Sequence, residues 1–73
     1  AYNAHTPVVV LEKLATDSDA DVRRIVADNA HTPVVVLEKL ATDSDAAVRR
    51  MARLMIKIIK SLVLVLVLVL FGS

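Results

Sequence analysis

At 73 residues the chain is at most one small domain, and its lack of cysteine removes disulfides and thiolate-held metals as stabilisers, leaving a partner chain or lipid. The apolar fraction is 56%, above the roughly 45–50% of ordinary domains, yet Tyr2 and Phe71 are the only aromatic residues, so aliphatic packing has to make the core. The net charge of +1 conceals a segregation: residues 1–46 hold eight acids against four bases, a net −4, while residues 47–73 hold five bases and no acid, a net +5. Such asymmetry points to an interaction surface.

The stretch Ala4–Ala20, AHTPVVVLEKLATDSDA, returns letter for letter as Ala30–Ala46, an offset of 26 residues. A fixed period of this size is the signature of a solenoid or array. Ala1-Tyr2-Asn3 echoes Ala27-Asp28-Asn29, as expected of a segment cut from a longer array. Identity this strict points to an engineered or idealised sequence. Ala1–Ala20 has no basic stretch followed by an apolar core, so it does not read as a secretory signal.

Each repeat predicts two short helices. Thr6-Pro7 and Thr32-Pro33 are start signals, with the threonine hydroxyl as cap and proline at the first helical position. The first helix is expected from about Pro7 to Ala15 and again from Pro33 to Ala41, with Leu11, Leu14 and Ala15 forming a buried stripe. Thr16-Asp17-Ser18-Asp19 is the turn, and Ser18 with Asp21 has capping-box spacing for a second helix from about Asp19 to Ala27. Val22, Ile25 and Val26 make its apolar face, with Arg23 and Arg24 toward solvent and paired with the turn aspartates, and Asp28-Asn29-Ala30-His31 breaks it. Helices this short must stack on neighbours to persist.

The unit TPVVVLEKLATDSDADVRRIVADN resembles the leucine-rich repeat variant family in its Thr-Pro start, the Val-Leu and Leu-Ala of its first helix, the turn aspartates, and the Val-Arg then Val-Ala of its second helix. The resemblance covers residues 1–53 and implies alternating α- and 3₁₀-helices stacked in a superhelix; the sequence itself leaves the second helix open between α and 3₁₀. Asp-x-x-Val-Arg is also similar to HEAT-type repeats, the second choice. The family is known to carry an iron–sulfur cluster, for which this chain has no cysteine, and Ala4 and Ala30 stand where proline is frequent in the family. Val8, Val9, Val34 and Val35 fall in the first helical turns, where the family tends to be more polar and a glutamate would suit the positive helix end. That ridge calls for a cover, either inter-repeat packing or a subunit interface.

After Arg50 the second repeat departs from the first: Met51-Ala52-Arg53-Leu54-Met55 replaces Ile25-Val26-Ala27-Asp28-Asn29, so the break is erased. The helix starting near Asp45 is expected to run on through Lys60-Ser61 into Leu62–Phe71, with Gly72-Ser73 as its stop. Arg49, Arg53, Lys57 and Lys60 cluster on one face, and Met51, Met55, Ile58, Leu62, Val65 and Val69 step along the opposite one, spaced for a helix–helix seam. Beyond Ser61 no polar face remains, and Leu64, Val67, Leu68 and Phe71 continue the basic stripe as hydrocarbon. Such a helix belongs inside protein or lipid. Several copies bundling their tails, or one tail covering a neighbour's valine ridge, would satisfy it. A membrane anchor is the alternative, with Arg53, Lys57, Lys60, Leu64, Leu68 and Phe71 facing lipid, although Leu62–Phe71 is ten residues, about 15 Å of helix against a bilayer core of about 30 Å. The Leu-Val alternation also fits a strand that would need burial on both faces.

Reaction chemistry finds no constellation. His5 and His31 are equivalent positions on successive repeats, roughly 10 Å apart by helix packing and too far to share a metal, so a turn or capping role is expected, with a site across a symmetry axis as the alternative. Asp17, Asp19 and Asp21 open like a calcium loop but lack its glycine and distal glutamate. Ser18, Ser44 and the threonines have no activating base, no glycine loop cradles phosphate, and net-acidic repeats without aromatics argue against nucleic acid. The expectation is an all-α chain: two stacked repeats over residues 1–50 (4–29 and 30–55 by period), then a hydrophobic C-terminal helix over 51–73, basic in its first half. Its expected role is an engineered, non-enzymatic module with no cofactor, metal or small-molecule substrate. It would assemble as a homo-oligomer through Val8, Val9, Val34, Val35 and the seam from Met51 to Val69, with a membrane-anchored or pore-forming assembly as the alternative.

Overall fold

A computed structural model describes residues 7–72, so Tyr2, His5, Thr6 and Ser73 lie outside the described residues. Among the described residues four α-helices follow in order: α1 (Val8–Leu14), α2 (Ala20–Asp28), α3 (Val34–Leu40) and α4 (Ala46–Phe71). The two repeats stack, α4 packing on α2 and α3, and no strand occurs among the described residues. The second element of each repeat is α-helical, correcting the 3₁₀-helix that the family resemblance implied. Nine residues in α2 already exceed the few that 3₁₀ geometry sustains.

The local start signals work differently from the sequence expectation. Pro7 and Pro33 stand one position outside α1 and α3 with no side-chain cap. Their carbonyls instead accept the first intrahelical bonds, from Val10 and Leu11 and from Val36 and Leu37. Thr32 does not cap α3. Its buried hydroxyl donates to the Val26 carbonyl at 2.6 Å, satisfying the C-terminal end of α2. Ser18 is not the cap of α2 either: the Asp19 carboxylate accepts from the Asp21 N–H, and Asp45 accepts from Val48 in the equivalent place. Asp17 and Asp43 brace these caps by accepting the N–H of Asp19 and Asp45, both at 2.8 Å.

The core is aliphatic: Leu11, Val26, Ala27, Val36, Leu37, Leu40, Val48 and Ala52 are buried, with Met51, Met55, Ile56 and Ile59 packed against them. Repeat two is better covered than repeat one. Val36 is 6% exposed and its counterpart Val10 is 38% exposed, because repeat one lies over the former.

The erased break decides what α4 does. In repeat one, Asn29 ends α2 with extended backbone (φ −83°, ψ 125°), and its side chain accepts the His31 N–H at 2.8 Å, turning the chain toward α3. Met55 occupies that position in repeat two and the helix continues. Extending a formed helix fixes one residue per bond gained, whereas a strand would need a new pairing partner, so the Leu-Val run is helical. Ile56 and Ile59 thereby come beside Val34 and Ala41, closing the open end of the repeat stack. The helix ends at Phe71, where the Gly72 N–H donates to the Leu68 carbonyl at 2.8 Å.

Leu37 is fully buried at the centre of this stack. Leu37→Ala should lower unfolding free energy by about 2–5 kcal/mol through cavity formation, read as an earlier midpoint in urea titration followed by circular dichroism.

Candidate association surface

The body that carries the surface is clamped by one side chain. Arg23 places Nε and Nη2 on the two carboxylate oxygens of Asp43 at 2.9 and 3.0 Å, while its Nη1 donates to the Asp17 carbonyl at 2.8 Å. Asp43 is the repeat-two counterpart of Asp17, so one guanidinium ties its own turn to the next repeat's turn. The paired side chains are only 14% and 12% exposed. The expected pairing with a turn aspartate is thus present for Arg23, but the side chain is largely buried rather than solvated; Arg24 is the exposed member of the pair. The Arg23 hydrogen bond, aided by the Asp45 N–H and the nearby charges of Arg23 and Arg49, holds the Asp43 carboxyl below its ordinary 3.8 against the opposing effect of burial.

The basic stripe of α4 is divided along its length. Arg49 donates to the carbonyls of Asp43 and Ser44, and Arg53 donates through Nε to the Ala41 carbonyl at 3.1 Å. Both secure the turn after α3. Lys57 and Lys60, one to two turns further on, are exposed.

The sequence-predicted interface residues separate into three groups. Val8, Val9, Val34 and Val35 are exposed, Val9 at 62% and Val35 at 63%, so each repeat presents the same two-valine step. Among the described residues, inter-repeat packing does not cover them. Met51 and Met55 turn inward and pack on the core. Ile58, Leu62, Val65 and Val69 are exposed, as are Leu64, Leu68 and Phe71. The boundary falls at Ile59, the last residue of α4 packed on the body.

From Leu62 to Phe71 every side chain is 43–81% exposed. This stretch is a free apolar rod of about 15 Å, without a polar residue in it. Val63, Leu66 and Leu70 belong to it as fully as the residues of the seam, and the missing polar face was the signal for them. Among the described residues no group of three or more His, Cys, Asp or Glu could hold a metal ion. The geometry offers one apolar rod, a basic root and an apolar ridge at its foot, with Val34 lining the same groove as Ile56, Ile59 and Lys60.

Residues 20–45 match the family model of the leucine rich repeat variant. The match is one period long and runs from the start of α2 to the cap of α4. No curated protein and no solved structure matches the chain.

The Arg23–Asp43 clamp has a defined pH dependence. A carboxyl whose folded pKa lies below its unfolded value stabilises fully above 3.8 and loses that contribution as pH falls through the folded value. Thermal melts between about pH 5 and pH 2 should therefore show a steeper loss of Tm in the parent than in Asp43→Asn, which starts lower and changes less.

Proposed function

We propose, on the premise that its repeat is of the leucine rich repeat variant type, that this chain is a non-enzymatic module that self-associates through the apolar rod of α4. Repeats of this type generally mediate protein–protein interaction. The observation that carries the reading is that Leu62–Phe71 projects from the body with every side chain exposed. Fully burying one valine or leucine contributes about 1.5–3 kcal/mol. Ten half-exposed side chains thus offer on the order of 10 kcal/mol per copy. Association costs an estimated 4–15 kcal/mol in lost freedom, so the rod is of the size that drives assembly.

Backbone chemistry favours protein over lipid as the cover. A helix has C-terminal carbonyls without intrahelical partners, and a rod one leaflet long that entered a bilayer end-on would carry them into hydrocarbon at several kcal/mol each, by rough estimate. Between copies in water the rod tip stays hydrated. The strictness of the repeat supports an engineered or idealised origin.

A lipid-bound form is the second reading, favoured by one observation. α4 has 26 residues, its most apolar stretch is not buried in the body, and the helix is long and apolar enough to cross a membrane by length and composition. Lys57 and Lys60 at its root would face headgroups.

Light-scattering mass after size exclusion separates the two. Because no rod side chain belongs to the core, deleting residues 62–73 leaves the body intact. The full chain should elute as a discrete multimer in plain buffer and the deletion as a monomer. Recovery only in detergent would transfer the reading to lipid, and a multimer that survives the deletion would remove the rod from the interface.

A further inference from the structure

Resting on the self-association reading, we infer that the rod of one copy docks on the valine ridge of another, reciprocally, rather than bundling with the other rod. The occupant of the ridge is thus a second copy of this chain. Three features on the surface carry this.

The first is charge. Residues 1–46 carry a net −4 and residues 47–73 a net +5, with the five bases all within residues 49–60, at or below the foot of the rod. Parallel bundling of rods would draw these roots together, like charge against like, within the roughly 8 Å over which physiological salt leaves charges coupled. Laying α4 against a neighbour's repeats instead sets the basic segment over the acidic one.

The second is length. The rod measures about 15 Å, and stacked helices lie about 8–10 Å apart. One rod can therefore span the first turns of both α1 and α3, where Val8 and Val9 and then Val34 and Val35 stand exposed to matching extents.

The third is continuity. Val34 shares a groove with Ile56 and Ile59 of the same copy, edged by Glu38 and Lys60, so the ridge runs up to the helix that carries the rod. Two apolar arms joined at such a foot can meet a second copy about a twofold axis: each rod meets the other copy's ridge, and the contact closes at a dimer. Head-to-tail continuation of the repeat stack is closed off, since Ile56 and Ile59 already lie beside Ala41 at its end.

The absence of native cysteine makes cross-linking a clean test. Full-length Val35→Cys and Val65→Cys chains, both altered at exposed positions, are mixed and oxidised, and cross-linked peptides are identified by mass. Docking on the ridge predicts the mixed disulfide as the main product, with little from either variant alone. A Val65–Val65 position cross-link as the main product, in material that is multimeric by light scattering, would overturn the ridge assignment while leaving self-association standing. Monomeric mass with no cross-link would overturn both. Salt gives an independent readout. Between about 0.05 and 0.5 M sodium chloride, ridge docking predicts a dissociation constant that rises several-fold as opposite charges are screened. A constant that falls would mean that the basic roots meet each other.

Discussion

The rest of the molecule depends on the missing turn after the second repeat. A stack of short helices must end somewhere, and its last face is apolar. Replacing the Asp28-Asn29 break by Leu54-Met55 lets α4 keep going, and the continuation serves two purposes at different heights. Its lower half brings Met55, Ile56 and Ile59 onto the body and seals the stack. Its upper half has nothing left to pack on. The end of the solenoid is thus solved inside the chain, and a new exposed surface is created outside it.

The body can carry such a lever because its polar groups are spent on holding the turns. Asp19 and Asp45 cap the second helices, Thr32 closes the end of α2, and Arg23 ties two turns together through Asp43. Even half of the basic stripe is structural, since Arg49 and Arg53 donate to carbonyls around the turn after α3. Lys57 and Lys60 are exposed just below the rod and are the charges that a partner would meet.

Much of this was legible in the sequence because identical repeats state the period outright and the erased break is visible by comparing two lines of text. The long helix followed from that comparison, as did its missing polar face. What was not legible involved choices between two partners for one group. A threonine before proline can serve the helix ahead or the helix behind, and Thr32 serves the one behind. Arg23 sits on the outward side by helical spacing, and only the stacking distance between repeats reveals that Asp43, twenty residues on, lies within reach. The stripe from Met51 to Val69 is continuous in spacing, but the body is shorter than the helix. Met51 and Met55 are therefore consumed internally, while Ile58, Leu62, Val65 and Val69 are left exposed. The 3₁₀-helices implied by resemblance are replaced by α-helices of 9 and 26 residues, longer than 3₁₀ geometry sustains.

Burial of residues 62–71 by other copies of the chain is the step on which the proposed assembly rests. Hydrogen exchange of their backbone amides, followed as a function of protein concentration in plain buffer, tests it most directly. A lone helical rod this short frays in water. Self-association of the rod predicts fast exchange in dilute solution and protection that grows with concentration, while the amides of Leu37 and Val48 in the core stay protected throughout. Exchange of the rod at the same unprotected rate at every concentration would contradict it.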